Sequence, residues 1–416
     1  MSKINVLLGI LGVIVAIFAI FRPTNNPPLN YHIFTEPGFE KVAEIFINEV
    51  KNGNIQGANF AAYHKGKLIV NLVGGYADKE TRNPWTFDTI TQVFSSTKGV
   101  AMTALNHLQS KGLLDYDQPI SKYWPEFSQN GKSNITIKHL LTHTAGMAII
   151  EKTWDPKDLL ENYTKVSEIF AEQKPSWPAG TKIGYHGLTT GVLVDNIVRR
   201  VDLSHRSLSD YVAEEFSFPY QLDLYLGLPL TENYRTAKFY EVNIPNLDMF
   251  TTGRKYLSIF LNLIKPGSLT NAALTNPIEY LQSYWLNNPY NRAIPDGSLM
   301  GFSNAQTLAK FYSLILSGEI LNKEFAKDLN KPLVKGRNII VDIEPSQISY
   351  GYFLIKAPHG GLIFGHPGTG GQAAFADPKF DLSLSYITNY HSLYGLGDDP
   401  RFLLLSSAVY DCIKNL

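Results

Sequence analysis

Ser349–Tyr390 contains four short apolar runs, SYGYFLIKAP, GGLIFGHPG, QAAFADP and DLSLSYITNY, separated by turn residues. Runs this short, punctuated by Gly, Pro and Asp, predict successive β-strands joined by tight turns. The strand signal also occurs near the other end of the chain. ANFAAYHKGKLIVNLVGGYAD, from Ala58 to Asp78, reads as two strands with a turn at Lys65-Gly66. Outside these strands lie two helices. Pro37–Lys51 carries Phe39, Val42, Ala43, Phe46 and Val50 at helical spacing. DDPRFLLLSSAVYDCIKNL closes the chain as a helix, with Asp398 or Asp399 as cap and Pro400 in its first turn. From about Thr91 to Asn330 the pattern is mostly helical, broken by Pro/Gly loops. The simplest packing is an α+β fold. One antiparallel sheet joins both ends of the chain and is flanked by the N- and C-terminal helices, and the middle forms an inserted, mostly helical lobe. The expected domain is 37–416, with a sheet lobe of 37–90 and 340–416 and a helical lobe of 91–339. Small-molecule sites tend to lie between such lobes.

The chain ahead of this domain differs in kind. Ile4 to Phe21, INVLLGILGVIVAIFAIF, is free of charge and proline. At about 1.5 Å per residue it can just span a hydrocarbon core. It predicts one N-terminal hydrophobic helix over 1–22, either a signal anchor or a cleaved signal peptide. The anchor is favoured because no A-x-A-like site follows. The expected localisation is then membrane-anchored with the body luminal or extracellular, or secreted if the segment is cleaved. In that setting the sequons at Asn134 and Asn162 are open to glycan. RPTNNPPLN begins a linker over 23–36.

Composition narrows the function. Lys+Arg and Asp+Glu both number 37, so no basic surface points to a nucleic-acid partner. The single cysteine, Cys412, builds neither an internal disulfide nor a thiolate zinc site, and its helical context fits a small buried apolar residue. No H-E-x-x-H or other His/Asp cluster stands at ligand spacing, so no metal or cofactor is expected. The absence of G-x-S-x-G disfavours an α/β-hydrolase.

Three stretches carry candidate chemistry. In TQVFSSTKGVAMTALNHLQSKGLLD, Ser95 and Lys98 stand three apart where a helix begins. Residues at i and i+3 share a helix face, so Lys98 can reach the Ser95 hydroxyl. Helix N-termini also stabilise negative charge, and a serine hydroxyl needs an activating neighbour. Spacing alone equally fits an ordinary helix start followed by a solvated lysine. In PSWPAGTKIGYHGLTTGVLVDNIVRRV, Tyr185 precedes a helix and can shuttle protons beside a lysine, or sit at a core edge. In IFGHPGTGGQAAFAD, His366 leads into a strand whose Gly368 and Gly371 permit close backbone approach, or simply occupies a hairpin.

SSTK, then HLLTHTAG, then PAGTKIGYHG, then GHPG, in that order, resemble the serine beta-lactamase and penicillin-binding-protein superfamily. The resemblance is to its class C-like branch of beta-lactamase-related esterases and animal beta-lactamase-like proteins, and runs from about Phe39 to the C-terminus. It implies that Ser95 forms an acyl-enzyme, Lys98 takes its proton and Tyr185 relays protons. His366 would polarise the site or bind a substrate group. The N–H groups of Ser95 and of Thr369, beside Gly368, would form the oxyanion hole. Two departures stand out. The family's Y-x-N is Tyr185-His186-Gly187 here, and its K-T-G begins with His366. Both weaken the case for beta-lactam hydrolysis or transpeptidation and are compatible with an esterase, amidase or peptidase. His186 is a further candidate site residue, and His143 is expected to order a loop. The expected function is a serine hydrolase acting on a small ester, amide or peptide. The alternative is a catalytically silent or self-assembling relative that keeps the fold.

Overall fold

The architecture follows from pairing between the two ends of the chain. The computed structural model describes residues 28–241 and 254–415. Strand β2 (Gly57–His64) pairs antiparallel with β13 (Leu382–Thr388), in a register running from His64 opposite Leu382 to Ala58 opposite Thr388. β2 also pairs with β3 (Lys67–Asp78) through a two-residue turn, in which Lys65 and Gly66 adopt positive φ of 52° and 77°. Such a turn matches the twist of the strands it joins. The remaining strands of this sheet are β1 (Tyr31–Thr35), β4 (Asn83–Pro84), β8 (Val334–Asn338), β9 (Ile343–Ser349), β10 (Tyr352–Lys356), β11 (Leu362–Gly368) and β12 (Gln372–Asp377). The ten-stranded antiparallel sheet runs β1-β3-β2-β13-β12-β11-β10-β9-β8, with β4 paired to β3.

Both faces of the central strands are buried, and period-2 alternation sorts their side chains between two cores. Ala58, Phe60 and Ala62 of β2, Ala373 and Phe375 of β12, and Leu382, Leu384 and Tyr386 of β13 face one core. That core is completed by α1 (Glu40–Lys51), through Val42, Phe46 and Val50, and by the C-terminal helix α7 (Pro400–Lys414), through Phe402, Leu405, Val409 and Cys412. The Asp399 carboxylate caps α7 by accepting the Arg401 N–H, with Pro400 in the first turn. Ala61, Tyr63, Ala374 and Ala376 face the opposite core. There they meet α6 (Ala305–Ser317), α2 (Thr97–Ser110) and α3 (Thr190–Val201). Two shorter helices, α4 (Arg254–Ile264) and α5 (Leu269–Leu274), belong to the same central part of the chain.

Three features differ from the sequence expectation. Tyr31–Thr35, in the stretch read as linker, is an edge strand paired to β3. β8 and β9 carry Lys335, Arg337 and Pro345, residues that suit a sheet margin and obscure a strand pattern. The mostly helical middle contains a three-stranded sheet of β5 (Thr91–Gln92), β7 (Gly301–Ser303) and β6 (Tyr225–Leu226). Strands of two or three residues are too short to show alternation.

The membrane expectation is corrected. Among the described residues no helix is long and apolar enough to cross a membrane. The longest, α7, has 15 residues. That is about 22 Å, short of the roughly 30 Å of a hydrocarbon core, and α7 carries Arg401, Asp411 and Lys414. The signal-anchor and transmembrane reading, the membrane as partner, and the luminal, extracellular or secreted placement built on it therefore have no support. The segment Ile4–Phe21 itself lies outside the described residues.

Candidate active site

Ser95 lies in a single 3-10 turn, Phe94–Ser96, that leads directly into α2. Phe94 holds φ of 46°, a left-handed conformation costly for a bulky side chain and typical of segments over-determined by their surroundings. Its ring is clamped by His391 at 4.4 Å and Phe239 at 5.5 Å between centroids. Lys98, in the first turn of α2, is fully buried. Its Nζ lies 3.2 Å from Ser95 Oγ and 2.7 Å from the Ser298 carbonyl oxygen. Burial pushes the ammonium down to about 7, against the opposing pull of the Asp296 carboxylate. A carbonyl can only accept, so one Lys98 N–H is committed to Ser298 in either protonation state. In the neutral amine the lone pair is left to accept from the Ser95 hydroxyl.

The strand that carries His366 is held against this turn by glycines and one hydroxyl. Ser96 Oγ donates to the His366 carbonyl oxygen at 3.1 Å. A Cβ on Gly99 would meet Tyr312 Oη at 2.2 Å, and one on Gly368 would meet the Val93 carbonyl oxygen at 2.7 Å. Both positions admit no side chain without displacement of a neighbour. Gly368→Ala is therefore expected to push β11 away from the nucleophile turn. The rate of Ser95 labelling by a fluorophosphonate should fall on the order of a hundredfold with far-UV circular dichroism preserved; an unchanged rate would contradict the close approach.

Tyr185 flanks Lys98, whose Nζ lies 5.0 Å from the tyrosine ring centroid. Burial raises the phenol well above its ordinary range, opposed by hydrogen bonding with Ser95. Its backbone N–H donates to Asn338 Oδ1 at 3.1 Å, which ties the loop to β8.

Three buried histidines surround this centre, and their hydrogen bonds assign the tautomers. His186 Nε2 accepts the Met147 N–H at 3.0 Å, so its proton is on Nδ1, which faces His143 Nδ1 at 3.3 Å. His143 Nδ1 also accepts the His186 backbone N–H at 3.2 Å, so its own proton is on Nε2. His366 Nδ1 donates to the Pro367 carbonyl oxygen at 2.6 Å, leaving Nε2 as an acceptor. The Nε2 atoms of His143 and His366 have no hydrogen-bond partner among the described residues. Burial holds His366 and His186 down at about 3, and His143 well below its ordinary value. All three are neutral at physiological pH.

These groups open on a cavity of about 340 Å³ whose wall includes Ser95, Tyr185, His366 and Thr369. The structure thus brings together Ser95, Lys98, Tyr185, His366, Gly368 and Thr369. His186 is not among the residues lining the cavity; its ring accepts the Met147 N–H and faces His143. The His143 carbonyl accepts the Gly184 N–H, so His143 joins its own loop to the one carrying Tyr185. Asp296, Ser298 and His391 were not legible in the sequence. Asp296 accepts the Ser298 N–H at 2.7 Å and the Tyr280 hydroxyl at 2.8 Å, and so shapes the loop whose carbonyl holds Lys98.

A family model described as Beta-lactamase matches residues 42–405. The Esterase/beta-lactamase LipL of Mycobacterium tuberculosis is 27% identical over 388 residues, covering 88% of this chain and 85% of that protein. A solved family VIII carboxylesterase superposes with a TM-score of 0.80 at 29% identity, over 92% of this chain and 100% of its own. EstA from Arthrobacter nitroguajacolicus superposes with a TM-score of 0.79 at 28% identity, over 92% of this chain and 99% of its own. The chain therefore belongs to the Beta-lactamase family and is a beta-lactamase-related serine hydrolase.

Proposed function

We propose that the protein is an esterase that works through an acyl-enzyme on Ser95. The observation that carries this reading is the fully buried Lys98, its Nζ 3.2 Å from the Oγ of Ser95, which itself lines a mostly apolar cavity. Neutral Lys98 accepts the Ser95 proton as Oγ bonds to the ester carbonyl carbon. The carbonyl π electrons move onto oxygen, which the N–H groups of Ser95 and Thr369 receive. Collapse expels the alkoxide, which leaves as alcohol with the proton returned from Lys98, through Tyr185. Water then attacks the acyl-enzyme by the same proton route in reverse and releases the acid. The relatives, which include an esterase/beta-lactamase and a carboxylesterase, support the same reaction class.

Carboxylate-bearing substrates such as beta-lactams fit this site poorly. His366, standing where the family's lysine would supply a fixed positive charge, is neutral.

The pH dependence tests the assignment. The active form of Lys98 is the deprotonated one, and its conjugate acid titrates near 7. Below that value kcat/KM for p-nitrophenyl butyrate should fall about tenfold per pH unit; above it the profile should level. The measurement is kcat/KM from pH 5 to 9, corrected for spontaneous hydrolysis. A flat profile between pH 5 and 8 would contradict Lys98 as the base.

A further inference from the structure

The cavity beside Ser95 has a wall that the proton-transfer chemistry does not use. Along α4, Tyr256, Ile259 and Leu263 stand at i, i+3 and i+7 and turn one helix face into the cavity. Leu274, at the end of α5, and Leu281 and Leu286 continue that surface. Two tyrosines in the wall present rings rather than hydroxyls, because their polar ends are engaged elsewhere. Tyr280 Oη donates to Asp296 Oδ2 at 2.8 Å, and Tyr256 Oη donates to Asp398. No lysine or arginine lines the cavity among the described residues. His391, like His366, is held down at about 3 by burial. The acidic residue in the wall among the described residues is Glu241.

A wall of this chemistry gains free energy by removing methylenes from water, and it offers no partner to a carboxylate. Resting on the serine-hydrolase reading above, we propose that the substrate is an uncharged ester with a long unbranched apolar chain, which lies against Ile259, Leu263, Leu274, Leu281 and Leu286. Two sources give this chemistry: a fatty acyl ester of a small alcohol, or a short acyl ester of a long-chain alcohol. The reaction balances as written for Ser95: the ester C–O bond breaks, water supplies the hydroxyl of the acid, and the alcohol leaves with a proton.

The test is a set of kcat/KM values with the full chain. One arm uses p-nitrophenyl acetate, butyrate, octanoate and decanoate; the second uses ethyl, butyl, octyl and decyl acetate. A buried methylene contributes several-fold in binding, so one arm should rise by at least about 30-fold from its shortest member to its eight-carbon member. The arm that rises identifies which side of the ester the wall receives. An octanoyl ester with a terminal carboxylate should lose most of that gain. Leu263→Glu, which places a charge in the wall, should reduce the eight-carbon to shortest-member ratio to below about threefold. Its folding is checked by fluorophosphonate labelling of Ser95. Two flat arms in the unmodified chain, with Ser95 labelled and the short esters turned over, overturn this inference and leave the hydrolase reading standing. No turnover of any ester together with no labelling of Ser95 overturns both.

Discussion

Ser95→Ala is expected to lower kcat/KM for p-nitrophenyl esters by on the order of 10⁴-fold or more. Alanine has no atom that can bond to the ester carbonyl carbon, so the acyl-enzyme route closes altogether. What remains is the weak rate promotion that backbone donors and substrate positioning give to direct attack by water. The fold should persist. The turn around Ser95 is held by other groups: Ser96 Oγ on the His366 carbonyl, Thr97 Oγ1 on the Phe94 carbonyl, and the rings of His391 and Phe239 on Phe94. Thermal unfolding within a few degrees of the parent, with activity lost, is the expected pair of results. Retention of a tenth or more of the parent activity would move the nucleophile elsewhere.

Lys98→Met should cost roughly a hundredfold or more, on the scale of a lost general base, or about 2.7 kcal/mol in barrier. Methionine keeps an unbranched side chain in the buried channel and removes the proton acceptor. It also leaves the Ser298 carbonyl without its donor, so a modest loss of stability accompanies the loss of rate. Lys98→Arg sharpens the test. Arginine keeps positive charge and can still donate to Ser298, yet it stays protonated throughout the accessible pH range. If Lys98 works as a base, arginine is as inactive as methionine. If its charge alone matters, arginine retains most of the rate.

The parts legible in the sequence are those written in local pattern. β2, β3 and the last four strands combine short apolar runs with Lys65-Gly66 and other turn residues, and α1 and α7 show helical periodicity with recognisable stops and caps. Ser95 and Lys98 could be paired because one helical turn separates them in the chain. Asp296 and Ser298 could not, because Lys98 meets Ser298 through a backbone carbonyl that any residue type supplies, 200 residues away in sequence. The cavity wall was hidden for a related reason. Periodicity shows that α4 is amphipathic, but tertiary packing decides which face meets the cavity. The contacts of His186 were likewise not legible: its position next to Tyr185 suggested a site residue, and only the tertiary structure shows its ring accepting the Met147 N–H. β8 and β9 escaped notice because charge and proline break their alternation.

Ser95 as the nucleophile is tested most directly by locating the covalent adduct. The full chain is incubated with a fluorophosphonate, digested, and the peptide spanning Ser95 and Ser96 is fragmented. Ser96 is the demanding neighbour for this comparison, since it is buried with its hydroxyl donated to the His366 carbonyl. One phosphonyl group per chain is expected, carried on Ser95, absent in Ser95→Ala and retained in Ser96→Ala. An adduct on Ser96, or labelling that survives in Ser95→Ala, would contradict it.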